Sequence, residues 1–107
     1  MAKGRTVVLC DRGDLADGEI RRVDVDGRLV LAVYRVDGNF YATDDACTHA
    51  TASLSEGFLD GHVIECPFHG GAFDVTTGRP VALPCTTPLK TYTVTIEGDA
   101  VRAEIDT

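Results

Sequence analysis

Apolar positions in this chain come in short β-branched blocks, and turn-forming pairs interrupt them repeatedly. Asp-Gly recurs at Asp17-Gly18, Asp26-Gly27, Asp37-Gly38 and Asp60-Gly61. Asp-Gly between apolar runs is a strong hairpin signal, because both residues tolerate the positive φ of tight turns. The pattern predicts a first strand over Thr6–Cys10 and a helical turn within Arg12–Asp17. Glu19–Val25, Arg28–Val36 and Asn39–Thr43 follow as a three-stranded meander. In its middle strand Leu29, Leu31 and Val33 alternate with the equally apolar Val30, Ala32 and Tyr34, so the buried face stays open. Asp44–Leu54 is polar and irregular. Phe58–Cys66 reads as a hairpin around Asp60-Gly61, and Ala72–Val75 as a short return strand before the Thr76-Thr77-Gly78 turn. Pro80, Pro84 and Pro88 predict a stiff loop with few donors. A last hairpin pairs Thr91–Glu97 with Ala100–Ile105 through Gly98-Asp99. Nothing repeats, and no long helix is predicted. The expected class is all-β, sandwich- or barrel-like.

A chain of 107 residues, 44% hydrophobic, suits one domain with a real core. The formal charge of −7 argues against a nucleic-acid partner, which would want clustered Lys and Arg. It favours electrostatic steering toward a basic patch on another protein. The longest apolar run, Leu29–Tyr34, falls far short of the roughly 20 residues of a membrane span, so no membrane is expected. Thr6–Cys10 is also too short for a signal-peptide core of about 7–15 residues. The expected location is the cytoplasm, where four cysteines read as ligands plus reduced thiols, not a disulfide framework.

Two segments carry the chemistry: Cys47-Thr48-His49 and Cys66-Pro67-Phe68-His69. Each supplies one thiolate and one imidazole, donors that suit both zinc and iron–sulfur clusters. Taken singly, each Cys is most often a small buried hydrophobe and each His a surface residue. Two pairs in tandem, with Pro67 and Gly70-Gly71 shaping the second loop, change that balance. A structural zinc site is the rival, but it usually pairs Cys-x-x-Cys with His-x-x-x-His, and the mixed order speaks against it. No nucleophile–base pair, phosphate loop or nucleotide fingerprint appears, so the chain is expected to be no enzyme by itself. Four other features carry weaker signals. His62 reads as a solvent-facing strand residue, and Cys10 as a core thiol. Asp44 and Asp45 offer charge to a docking surface or are simply solvated. Arg21, Arg22 and Arg79 are too few for a phosphate site.

Cys47-Thr48-His49, Cys66-Pro67-Phe68-His69-Gly70-Gly71-Ala72-Phe73-Asp74, Thr77-Gly78 and the Pro-rich loop after them resemble a Rieske-type ferredoxin. The similarity covers nearly the whole chain and points to the ferredoxins of bacterial aromatic-ring-hydroxylating dioxygenase systems. It implies a single Rieske domain over residues 1–107. Within it, an antiparallel β-sandwich or barrel base would carry a cluster-binding subdomain at about residues 44–86. It implies one [2Fe–2S] cluster, with Cys47 and Cys66 on one iron and His49 and His69 on the other. The implied role is to carry one electron from a flavin-containing, NAD(P)H-dependent ferredoxin reductase to a terminal Rieske oxygenase, as a monomer. Cys85 would pack over the cluster from the Pro-rich loop. Two departures from respiratory-chain relatives bear on the potential. The positions of their bridging cysteines look like Ala52 and Phe68, so no disulfide is expected. The positions of their hydroxyl donors look like Gly71 and Phe73, which implies a low-potential centre. A different hydroxylase client, or a small subunit of a nitrite reductase–like enzyme, would use the same fold.

Overall fold

The structure is a computed structural model that describes residues 5–27, 29–48, 51–68 and 70–105. Its strands are β1 (Arg5–Asp11), β2 (Ile20–Asp24), β3 (Val30–Val36), β4 (Asn39–Asp44), β5 (Phe58–Asp60) and β6 (Val63–Glu65), followed by β7 (Ala72–Asp74), β8 (Pro80–Ala82), β9 (Thr91–Tyr92), β10 (Val94–Glu97) and β11 (Ala100–Ile105). Short 3₁₀ turns at Arg12–Asp14 and Leu54–Glu56 are the only helical pieces among the described residues. No helix there is long and apolar enough to cross a membrane. The strands form three antiparallel sheets, ordered β1-β11-β10, β2-β3-β4-β9 and β5-β6-β7-β8.

The meander is built as its turn chemistry dictates. Val36 pairs with Asn39, leaving Asp37 and Gly38 as a two-residue loop. Both take positive φ, 52° and 81°, as a type I′ hairpin turn requires.

Both faces of β3 are buried, which resolves the ambiguity left by its apolar pattern. Leu31, Ala32, Val33 and Tyr34 have no exposed surface. Leu31 and Val33 enter one core with Leu9, Leu15, Val101, Ala103 and Ile105. Ala32, Tyr34 and Val36 enter a second with Leu54, Ile64, Phe73, Val75 and Leu89, and with Cys47, Cys66 and Cys85. Successive side chains of a strand point to opposite faces, so β3 is a wall shared by two cores. The Tyr34 hydroxyl, carried into the second core, is hydrogen-bonded to Thr43 Oγ1 at 2.8 Å.

Two segments differ from the sequence expectation. Thr91–Glu97 is two strands: β9 pairs with β4, and β10 pairs with β11. The chain passes from one sheet to the other at Thr93, as corner strands do between packed sheets. Pro80–Ala82, expected as loop, is the edge strand β8, with Pro80 opposite Phe73. An edge position tolerates the proline's missing N–H.

Candidate metal centre

β4 runs into the first cysteine loop, and the backbone closes that loop on itself. The Cys47 N–H donates to the Ala52 carbonyl at 3.0 Å, and Ala46 bridges Ser53. Beneath it lies Asp45, only 3% exposed. Its N–H donates to Val30 O, its carbonyl accepts from the Leu54 N–H at 2.7 Å, and its Oδ1 accepts from the Ser55 N–H at 2.9 Å. Arg22 Nε lies 3.5 Å from its Oδ2. Asp45 is thus a structural anchor, which corrects both readings of the sequence, a docking charge and a solvated one. Asp44 is committed as well, since it accepts the Tyr92 hydroxyl. A strand-end carboxylate buried by the loop it precedes cannot be recognised without knowing how that loop folds back.

β6 delivers Cys66 and β7 leads away from the second loop. The Cys66 N–H donates to the Gly71 carbonyl at 2.7 Å, which pins the loop's two ends together. The Phe68 backbone N–H hydrogen-bonds the Cys66 sulfur. A third segment completes the site. Cys85, 3% exposed, brings its sulfur 3.9 Å from Cys47 Sγ. Its loop is tied to the first cysteine loop by Thr48 Oγ1, which donates to the Thr87 carbonyl at 2.8 Å. An open cleft of about 640 Å³ separates the first two loops, lined by Cys47, Ala52, Pro67 and Phe68 among others.

Cys47 and Cys66, the two sequence-identified sulfurs, therefore lie together in one buried cluster. His49 and His69 lie outside the described residues. Burial raises the Cys66 thiol above its ordinary pKa; the Phe68 N–H pulls it down and the Cys47 sulfur pushes it up again. Burial, then the Cys47 and Cys66 sulfurs, pushes Cys85 up to about 11. Crowded, buried thiols resist ionising together, and a cationic iron core removes that cost by binding the thiolates. The donor set thus fits an iron–sulfur cluster. All four cysteines are free thiols.

The remaining sequence candidates fall away from this site. Cys10 is buried in the first core. His62 is exposed, at a turn rather than within a strand, with Nδ1 3.3 Å from Asp74 Oδ1. The contact between Gly71 and Cys85 has no signal in the sequence. A Cβ on Gly71 would fall 2.4 Å from the Cys85 sulfur. Nothing in the residue order pairs positions so far apart.

A family model for the Rieske [2Fe-2S] domain matches residues 5–93. Ferredoxin CarAc of Metapseudomonas resinovorans is 58% identical over 89 residues, 83% of each chain. The ferredoxin component of the p-cumate 2,3-dioxygenase system of Pseudomonas putida is 48% identical over 100 residues, 92% of this chain and 85% of its own. In a solved complex of reduced oxygenase and oxidized ferredoxin of carbazole 1,9a-dioxygenase, the matching chain is 54% identical. It superposes with a TM-score of 0.88 over 92% of this chain and 91% of its own. The chain belongs to the Rieske [2Fe–2S] domain family, among the ferredoxin components of aromatic dioxygenase systems.

Proposed function

We propose that this chain is a one-electron carrier of an aromatic-ring-hydroxylating dioxygenase system. Cys47, His49, Cys66 and His69 hold its single [2Fe–2S] cluster. A flavin-containing, NAD(P)H-dependent reductase supplies the electron, and a terminal Rieske oxygenase receives it. The observation that carries this reading is the convergence of Cys47 and Cys66, from two separately closed loops, into one buried sulfur cluster. Bound there, a Rieske cluster supplies one-electron chemistry at a potential between about −150 and +300 mV. The protein's part is to keep rearrangement small and access close. Cys47 and Cys66 are each fixed by a backbone hydrogen bond at their own loop's closure. The Phe68 N–H partly offsets negative charge on the Cys66 sulfur. The Phe68 side chain itself is exposed, as are Val81 and Leu83 on the Pro-rich segment, and these give a partner an apolar landing surface.

The centre belongs at the low end of the Rieske range. Gly71 and Phe73 bring no hydroxyl to the sulfurs, and Phe73 is wholly buried in the apolar core. That suits a carrier downstream of a flavin and not a quinol oxidase. The chain acts as a cytoplasmic monomer, one Rieske domain with its cluster-binding subdomain at about residues 44–86. It does no catalysis of its own.

The test is stoichiometric transfer. Dithionite-reduced protein, freed of excess reductant, is mixed anaerobically with the oxidised oxygenase of carbazole 1,9a-dioxygenase. One electron per ferredoxin should appear on the oxygenase. A ferredoxin that stays reduced with this oxygenase and with a panel of other ring-hydroxylating oxygenases would refute the proposal.

A further inference from the structure

Cys85 is not among the four donors, yet it is built into their site. Its sulfur lies 3.9 Å from Cys47 Sγ, within hydrogen-bond range for sulfur. It is buried, so water does not compete for that contact. Its backbone is fixed from below by its own N–H, which donates to the Ala82 carbonyl at 3.2 Å. The second cysteine loop leaves it room. A Cβ on Gly71 would meet the Cys85 sulfur at 2.4 Å and the Cys85 nitrogen at 3.2 Å, so only glycine there accommodates the thiol where it stands.

A neutral thiol is a weak donor, and a metal-bound thiolate is a charged acceptor. With the Cys47 sulfur bound to iron, the Cys85 proton has a negatively charged partner within reach. We infer that Cys85 is a positioning residue for electron transfer: its S–H donates to the Cys47 sulfur and stabilises the reduced state of the centre. The inference rests on Cys47 being a ligand, as in the proposed function. A hydrogen bond to a ligand sulfur favours the more negative redox state, so Cys85 raises the potential of an otherwise low-potential centre. The competing view is that Cys85 only fills space, as buried cysteines usually do.

Redox titration of holoprotein variants separates the two. Cys85→Ala should disfavour reduction by about tenfold, a drop of about 59 mV for one electron. Cys85→Ser keeps a donor and should stay within about threefold of the parent. Cys85→Val fills the space without a donor and should follow Cys85→Ala. Equal potentials in parent, Ser and Val variants overturn the inference, and the Ser–Val comparison stands if the Ala variant loses its cluster. Resonance Raman gives an independent reading. Iron–sulfur stretching bands of the parent should shift in D₂O, and Cys85→Val should lose part of that shift; no shift in the parent overturns the inference. A parent without a Rieske spectrum would instead sink the ligand assignment. A parent with a Rieske spectrum whose potential ignores Cys85 sinks only the hydrogen-bonding role of that thiol.

Discussion

At the scale of single residues, the site depends on sulfurs whose identity is visible in the sequence and on supports that are not. Cys47 and Cys66 stand out because each is paired with a nearby histidine. Cys66→Ala should abolish the visible chromophore and the bound iron, as measured by absorption and metal analysis, while the strands around it persist. Asp45 and Gly71 carry no such signal. A carboxylate at a strand end is usually solvated, and Asp45 is buried only because the chain from Leu54 and Ser55 folds back over it. Asp74 offers a pH test. Burial pulls its carboxyl up, but the Thr76 hydroxyl and N–H, together with His62, hold it below its ordinary value of 3.8. A carboxyl lowered in the folded state stabilises the fold above its unfolded pKa and loses that contribution as pH falls through its folded one. Asp74→Asn should therefore be less stable than the parent in urea unfolding at pH 6. The gap should close below about pH 3.8. A gap that stays constant down to pH 2 would contradict this assignment.

Elements show the same division between what a pattern reveals and what packing decides. The β3–β4 and β10–β11 turns are legible because Asp37-Gly38 and Gly98-Asp99 form their two-residue loops, whereas the β5–β6 loop is Gly61-His62, one residue beyond the Asp60-Gly61 expected from the pattern. The double burial of β3 is not legible, since a strand apolar on both faces looks the same whichever face is covered. β8 escapes notice because proline argues against strands, and edge position is a property of the sheet. The break between β9 and β10 depends on two sheets facing each other. Phe73, on β7, is after Tyr34 the largest side chain without exposed surface in the core that holds the sulfurs. Phe73→Ala should cost about 3–5 kcal/mol by chemical denaturation. Cluster retention should fall with it, because β7 and β6 carry the two ends of the second cysteine loop. Asp45→Ala should cost about 1–3 kcal/mol, by removing a charge-assisted bond to the Ser55 N–H and leaving that donor unpaired.

The whole molecule presents a net charge of −7 and exposed apolar side chains at Phe68, Val81 and Leu83. Charge of one sign steers a partner over distances of a Debye length, about 10 Å at 0.1 M salt. Reduction by a partner reductase should therefore slow as ionic strength rises, in stopped-flow measurements. Leu83→Asp should slow it at every salt concentration without moving the midpoint potential, since Leu83 is 78% exposed and belongs to the proposed landing surface. A rate independent of salt would place recognition in apolar contact alone. The cofactor itself is read most directly by absorption and EPR spectra of the purified protein before and after dithionite. Broad visible absorption when oxidised, with a rhombic reduced signal whose mean g lies below that of all-cysteine clusters, is the predicted result. A colourless, EPR-silent protein containing zinc after anaerobic preparation would contradict it and leave a structural domain in place of an electron carrier.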